Sequence, residues 1–263
     1  MKILCRLLVL ALLLAAFKAS PQTPKFIHSH NDYNNLTPFY KAFYNGFNCI
    51  EADVFCVNGK LLVAHDSTKL SPYRTLKELY LDPIIYALSH DGSRQLCLLI
   101  DVKKDHQKVL DVLVQELKPL ENHLLSKDHP GRLKILISGE RPLPSEYKNY
   151  PGYLFFDDNL VNPHTKAEWD WVGMVSLDFS SYSKWNGTGE ILKTDREKIK
   201  YTIDSVHTNT RKPVRFWGAP DSPASWALQI DLGTDVIGTD LIDQLPAYLA
   251  KRSLLKPASV IIN

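Results

Sequence analysis

The stretch Asn48-Cys49-Ile50-Glu51-Ala52-Asp53-Val54-Phe55 decides how this chain reads. Apart from two acids its residues are apolar or β-prone, the pattern of a buried strand. Side chains on a strand alternate sides, which puts Glu51 and Asp53 on one face. Two inward carboxylates repel each other and lose hydration, so they persist where a cation or protons neutralise them. A hard divalent ion held by oxygens is the simplest cation. His30 precedes this strand and His65 follows it, so an imidazole stands on either side of the acids.

Outward from this strand, apolar β-like runs alternate with helical patterns. Lys25 to His28 reads as a short strand and Pro38 to Asn45 as a helix. After the acid-bearing strand, Gly59 turns the chain into a hairpin arm, Lys60 to His65. Thr75 to Ser89 reads as a helix broken near Pro83. Gln95 to Val102 is almost continuously apolar, as expected of a parallel strand covered on both faces. Val109, Leu110, Leu113, Val114 and Leu117 make a helical stripe behind it. Further strands are expected at Leu133 to Ser138, Tyr153 to Phe156, Val172 to Leu177, Val214 to Trp217 and Val236 to Thr239, with helices after the last three. About eight such units imply an α/β fold of the (β/α)8 TIM-barrel type. No Gly-rich dinucleotide loop follows the first strand, which argues against an open doubly wound sheet.

The N-terminus differs in kind. Lys2 and Arg6 precede the apolar run Leu7 to Phe17, and Lys18-Ala19-Ser20-Pro21 follows, the plan of a signal peptide over residues 1–19. That run is too short to span a bilayer comfortably. The expectation is a secreted or periplasmic protein with one barrel domain over 24–255 and no stable transmembrane span once the leader is removed. The formal net charge of +2 and a charged fraction of 23% give no sign of nucleic-acid binding. Cys49, Cys56 and Cys97 remain after the leader, an odd number and a poor disulfide framework. Cys49 and Cys97 fall on the same faces as the acids of their own strands, either as buried thiols or as a pair. Asn35-Leu36-Thr37 and Asn186-Gly187-Thr188 are sequons.

In such barrels working residues gather at the C-terminal ends of strands. His28, His30 and Asn31 end the first strand, Glu51 and Asp53 lie on the second, and Asp101 and Lys103 end the third parallel one. Asp101 is a third carboxylate for the ion, a helix N-cap, or the partner of a salt bridge with Lys103 or Lys104. With an amide oxygen from Asn31, three carboxylates would form a hard site suited to Ca²⁺ or Mg²⁺. His30 and His65 are the acid–base candidates, since imidazole titrates near neutrality. Asp66 could orient His65, and His28 is either a supporting group or an alternative to His30. The other histidines read as surface residues.

These residues resemble a known superfamily. Ser29-His30-Asn31-Asp32-Tyr33, Ile50-Glu51-Ala52-Asp53-Val54, Val63-Ala64-His65-Asp66 and Leu99-Ile100-Asp101-Val102-Lys103 resemble the phosphatidylinositol-specific phospholipases C and glycerophosphodiester phosphodiesterases. Arg215-Phe216-Trp217 and Gly233 to Asp240 resemble the last two strands of the phosphodiesterase branch. The set is closest to the branch of altered inheritance of mitochondria protein 6. The resemblance implies a TIM barrel and phosphodiester cleavage. His30 and His65 would be the acid–base pair, and Glu51, Asp53, Asp101 and Asn31 would hold the ion. Lys103 would face the phosphate, while Trp217 and His28 would contact the substrate, a small or lipid-derived phosphodiester. The chain departs from the pattern where the phosphodiesterase branch has His-Arg-Gly on the first strand. No arginine adjoins His28 or His30, so a phosphate contact is expected to be missing. Asp101 replaces a usual glutamate, and His65 to Asp101 is short for a capping insertion.

The leading expectation is therefore metal-assisted phosphodiester hydrolysis. His28-Ser29-His30 also fits the His-x-His opening of multi-metal amidohydrolases and related phosphatases. A secreted binding protein that kept the barrel but lost turnover is the third reading.

Overall fold

The structure is a computed structural model that describes residues 24–254. The expected leader and its cleavage point lie outside the described residues. Nine strands form one sheet: β1 (Phe26–Ser29), β2 (Cys49–Val57), β3 (Lys60–Val63), β4 (Leu96–Val102), β5 (Leu133–Gly139), β6 (Leu154–Asp158), β7 (Val172–Asp178), β8 (Val214–Trp217) and β9 (Val236–Thr239). β1 pairs in parallel with both β2 and β9, which closes the barrel. Strands β1, β2 and β4 to β9 are the eight parallel staves; β3 runs back antiparallel along β2 as the expected hairpin arm. The TIM-barrel reading is borne out.

Six α-helices are described: α1 (Tyr40–Tyr44), α2 (Asp82–His90), α3 (His106–Glu116), α4 (Lys193–Thr210), α5 (Pro223–Leu232) and α6 (Gln244–Leu254). Between β5 and β6, and between β6 and β7, single 3₁₀ turns at Pro144–Asn149 and Glu168–Trp171 take the helix position. Pro83 does not break its helix. It falls in the first turn of α2, where a missing N–H costs nothing, and a π-turn at Lys77–Leu81 leads into it. Local chemistry sets other ends: Ser222 caps α5 through Ser225 N–H, and Gly233 closes it in the left-handed region at φ 93°.

Two apolar layers follow from strand alternation. Residues such as Ile50, Ala52, Leu98, Ile100, Ile135 and Ile137 face outward and pack under the helices. Residues of opposite parity face inward. Cys49, Cys97, Leu99, Leu136, Met174 and Val236 form a separate plug in the lower barrel. Two residues further along each strand the inward positions turn polar: Glu51 and Asp53, Asp101, Ser138, Asp157, Ser176 and Arg215. The register puts Asp53 beside Asp101, Asp101 beside Ser138, and Ser176 beside Arg215. The barrel thus has an apolar floor and a polar mouth at its C-terminal end.

The β1 loop is pinned beneath this mouth by Asp32, which is fully buried. Its carboxylate accepts from Ser29 Oγ at 2.9 Å, Tyr80 Oη at 3.1 Å and Phe39 N–H at 2.6 Å. Phe39 has a φ of 63°, a backbone region costly for an L-residue, and Asp32 holds it there. Burial pushes the Asp32 carboxyl up, and its bonds to Phe39, Ser29 and Tyr80 oppose that push. Asp32→Ala would strand a buried N–H and two buried hydroxyls. We expect a loss of about 2–4 kcal/mol, read as a lower urea midpoint with an unchanged slope.

Candidate active site

Strand alternation and the β2–β4 register bring Glu51, Asp53 and Asp101 to one place. Each offers an oxygen, and these atoms lie within 4.8 Å of one another. Asp53 is the informative member. Its Oδ2 accepts from Lys103 Nζ at 2.7 Å and Tyr33 Oη at 2.8 Å, and His65 Nδ1 lies at 2.9 Å. Its Oδ1 is buried and has no hydrogen-bond partner. A bare buried carboxylate oxygen beside two further acids fits an oxygen-bound cation. Burial first, and Glu51 second, push the Asp53 carboxyl up, so its partners do not fully offset its surroundings. Gly139, at φ 70°, makes room: a Cβ there would lie 2.5 Å from Asp101 Oδ1 and 2.4 Å from the Val102 carbonyl oxygen.

Two cations temper the cluster. Lys103 Nζ bridges Asp53 and Asp101, 2.5 Å from Asp101 Oδ2. Burial works against its charge, but Asp101 and Asp53 outweigh burial and raise its pKa. On the other wall, Arg215 of β8 lies 3.4 Å from Glu51 Oε2. Burial opposes ionisation of Glu51, but His28 and Arg215 overcome it and hold that carboxyl well below the usual range.

His30 and His65 both line the cavity between these walls, about 480 Å³ in volume. His30 Nδ1 lies 3.0 Å from Asp240 Oδ1, and His65 Nδ1 lies 2.9 Å from Asp53 Oδ2. A carboxylate only accepts, so each Nδ1 carries the proton and each Nε2 is the ring nitrogen open to the cavity; the Asn31 Nδ2 amide, 2.9 Å from His30 Nδ1, then donates to Asp240 Oδ1 at 3.3 Å. Burial disfavours the His30 cation, yet the Asp240 bond and the Glu51 charge outweigh burial and raise its pKa. Asn31 sits in the left-handed region at φ 49°, a conformation Asn tolerates better than most residues. Its Oδ1 lies 2.5 Å from Tyr33 Oη, whose single proton serves either Asn31 or Asp53. Trp217 is half-exposed at the cavity lip.

Three expectations need correction. Asp66 does not orient His65. It accepts from Thr68 N–H and caps the turn Ser67–Lys69, while Asp53 holds the ring. His28 does not reach a substrate. It is fully buried, with Nε2 2.8 Å from Glu51 Oε2 and Nδ1 3.1 Å from Cys49 Sγ. Burial, then Arg215, lowers its pKa to about 4, so it is a neutral prop for Glu51. With His28 buried in the barrel behind Glu51 and outside the cavity lining, His28-Ser29-His30 does not offer two imidazoles to a common ion. His164 is not a surface residue: its side chain is buried against Asp158 Oδ2 at 3.1 Å and stacked on Trp169. Cys49 and Cys97 are neighbours in register and are free thiols.

A cation that the first strand does not provide is present on β8. Arg215 lines the cavity beside Glu51, two staves from β1 around the barrel. Its signal was the two-residue spacing from Trp217 on a strand, which puts both on the inner face. Sequence reasoning also missed Tyr33, Asp240 and Asp157. The last lies inward on β6, and burial pushes its carboxyl up to about 6.

Comparisons with known proteins agree with the barrel and with the motifs. A family model described as an AIM6-like phosphodiesterase domain matches residues 19–95. The chain is 27% identical over 238 residues to the altered inheritance of mitochondria protein 6 homolog of Arthroderma benhamiae, covering 75% of this chain and 73% of that one. It is 27% identical over 268 residues to altered inheritance of mitochondria protein 6 of Eremothecium gossypii, covering 84% and 69%. The resemblance to the AIM6-like branch is borne out. Among solved structures, a glycerophosphodiester phosphodiesterase from Parabacteroides distasonis shares the fold at a TM-score of 0.57 and 15% identity, over 88% of this chain and 99% of that one. A phosphodiesterase from Oleispira antarctica, solved with the product sn-glycerol-3-phosphate, does so at 0.55 and 13%, over 86% and 97%. The AIM6-like match spans His30, Asn31, Glu51, Asp53 and His65; Asp101, Lys103, Arg215 and Trp217 lie beyond it.

Two outcomes test this geometry. Gly139→Ala should displace Asp101 and weaken divalent-ion affinity about 10- to 100-fold, measured by calorimetric titration of Ca²⁺ and Mg²⁺. Asp157 binds its proton more tightly in the folded chain than when unfolded, so it weakens the fold as pH rises from about 4 to about 6. Asp157→Asn removes that penalty. Urea denaturation in chelator should show a gain of about 1–3 kcal/mol at neutral pH that fades toward pH 4.

Proposed function

We propose that this chain is a metal-dependent phosphodiester hydrolase acting on a small or lipid-derived phosphodiester, of the glycerophosphodiester or phospholipid head-group type. The observation that carries the reading is Asp53, with Lys103, Tyr33 and His65 crowding one oxygen and no partner at the other, between two further carboxylates and two histidines. Glu51, Asp53 and Asp101 would hold a divalent ion, Ca²⁺ or Mg²⁺ by the chemistry of an all-oxygen set, with the Asn31 amide oxygen as a fourth ligand. When bound, that ion would stabilise charge on the non-bridging phosphate oxygens.

The protein's own groups supply the rest. Lys103 and Arg215 face the cavity from opposite walls and attract a phosphodiester anion. One of His30 and His65 takes a proton at Nε2 from the attacking hydroxyl or water; the other donates one to the departing oxygen. Asp240 and Asp53 fix the ring tautomers that this exchange needs. Trp217 at the lip gives an apolar face to the substrate. The phosphodiesterase description of the matching family model supports this reaction class. The leader-like residues 1–19 support a secreted or periplasmic place of action. Among the described residues no helix is long and apolar enough to cross a membrane.

The test is a phosphodiester panel followed by phosphorus NMR, with and without chelator. Turnover should require the divalent ion, and His65→Ala should lower kcat about 10²- to 10⁴-fold while leaving the unfolding midpoint close to wild type. Turnover that survives exhaustive chelation, or near-wild-type rates in His65→Ala, would overturn the reading.

A further inference from the structure

A second cavity of about 560 Å³ adjoins the first, and His65 and Asn31 line both. Its wall carries Asn34, Asn35, Leu36, His65, Lys69 and Arg74, and no carboxylate lines it. Lys69 and Arg74 have no acid within ion-pair distance among the described residues. Arg74 is held in place by a bond from Nη2 to the Tyr33 carbonyl oxygen at 2.5 Å. The nearest acid in sequence, Asp66, accepts from the Thr68 N–H and does not line the cavity; the Lys69 charge acts on it only from beyond ion-pair distance. Leu36 stands 98% exposed at its lip. The His30 side of the site differs. A smaller cavity there, about 210 Å³, is lined by Asp221 and Asp240 as well as Arg215.

A phosphodiester seated on the carboxylate cluster has two arms, and these two side cavities are where the arms can go. One is roomy and cationic, the other small and mixed in charge. Two unpaired cations facing a cavity with no acid favour a ligand that carries its own negative charge. We propose that the His65-side cavity is the subsite for an anionic arm. The substrate is then a diester in which one alcohol bears a further carboxylate or phosphate, and Lys69 and Arg74 select it. This inference rests on the phosphodiester reading of the central site.

The test uses three synthetic diesters that share one p-nitrophenyl arm. The second arm is a four-carbon alcohol ending in methyl, carboxylate or phosphate. Nitrophenolate release needs no proton, so the readout does not depend on which histidine acts as acid. With the divalent ion present, KM for the two anionic substrates should be roughly tenfold below that for the neutral one, with kcat little changed. The carboxylate and phosphate arms show which anion fits better. Lys69→Glu should abolish or invert the KM difference, and added salt should shrink it in wild type. A separate calorimetric titration with 4-hydroxybutyl phosphate should detect binding to wild type that Lys69→Glu loses. Equal KM values for all three diesters, or a preference unchanged by Lys69→Glu, would overturn the anionic subsite and leave the central site standing. Failure to cleave any of the three, with 4-hydroxybutyl phosphate still bound, would reject the hydrolase reading and keep the subsite.

Discussion

The site depends on one carboxylate whose two oxygens live in different worlds. Asp53 Oδ2 is crowded by Lys103, Tyr33 and His65, while Oδ1 is buried and bare. Neither half alone would mean much, since saturated buried acids are ordinary structural groups. Together they orient the carboxylate, with the crowded oxygen as anchor and the bare one left open to the ion proposed above. The same contact fixes the tautomer of His65, so in the proposed reaction the ion's ligand and the proton-transfer group would share a hydrogen bond. Glu51 is anchored in a parallel way by neutral His28 behind it and Arg215 beside it.

Strand parity accounts for most of this arrangement. Odd-numbered residues of β2 and β4 face inward, and the in-register pairing of Asp53 with Asp101 follows from it. The lower inward residues, Cys49, Cys97, Leu99 and Leu136, exclude water from beneath the acids. The acids therefore sit on an apolar floor, where a charge acts more strongly than at an open surface.

Much of this was legible before any coordinates. The eight staves, the hairpin arm, the three acids and the two flanking histidines were all read from local pattern, because period-two alternation reports facing directly. What local pattern could not report was partnership between strands. Asp66 stands next to His65 in sequence, yet the partner of His65 is Asp53, twelve residues earlier. Asp240 reaches His30 over a separation of 210 residues, and Arg215 reaches Glu51 over 164. The last two contacts depend on closure of the sheet between β9 and β1, a long-range event with no local signature. His164 was misread for a related reason: a loop histidine looks exposed until Asp158 and Trp169 are seen to enclose it.

Arg215 carries a wider lesson about ring-shaped sites. Eight staves aim their ends at one axis, so a positive group serves the centre equally well from whichever stave it grows. A missing residue at one stave is then no evidence of a missing function, provided another wall of the ring carries the same charge. Inventories of such sites are better taken around the circumference than along a single motif.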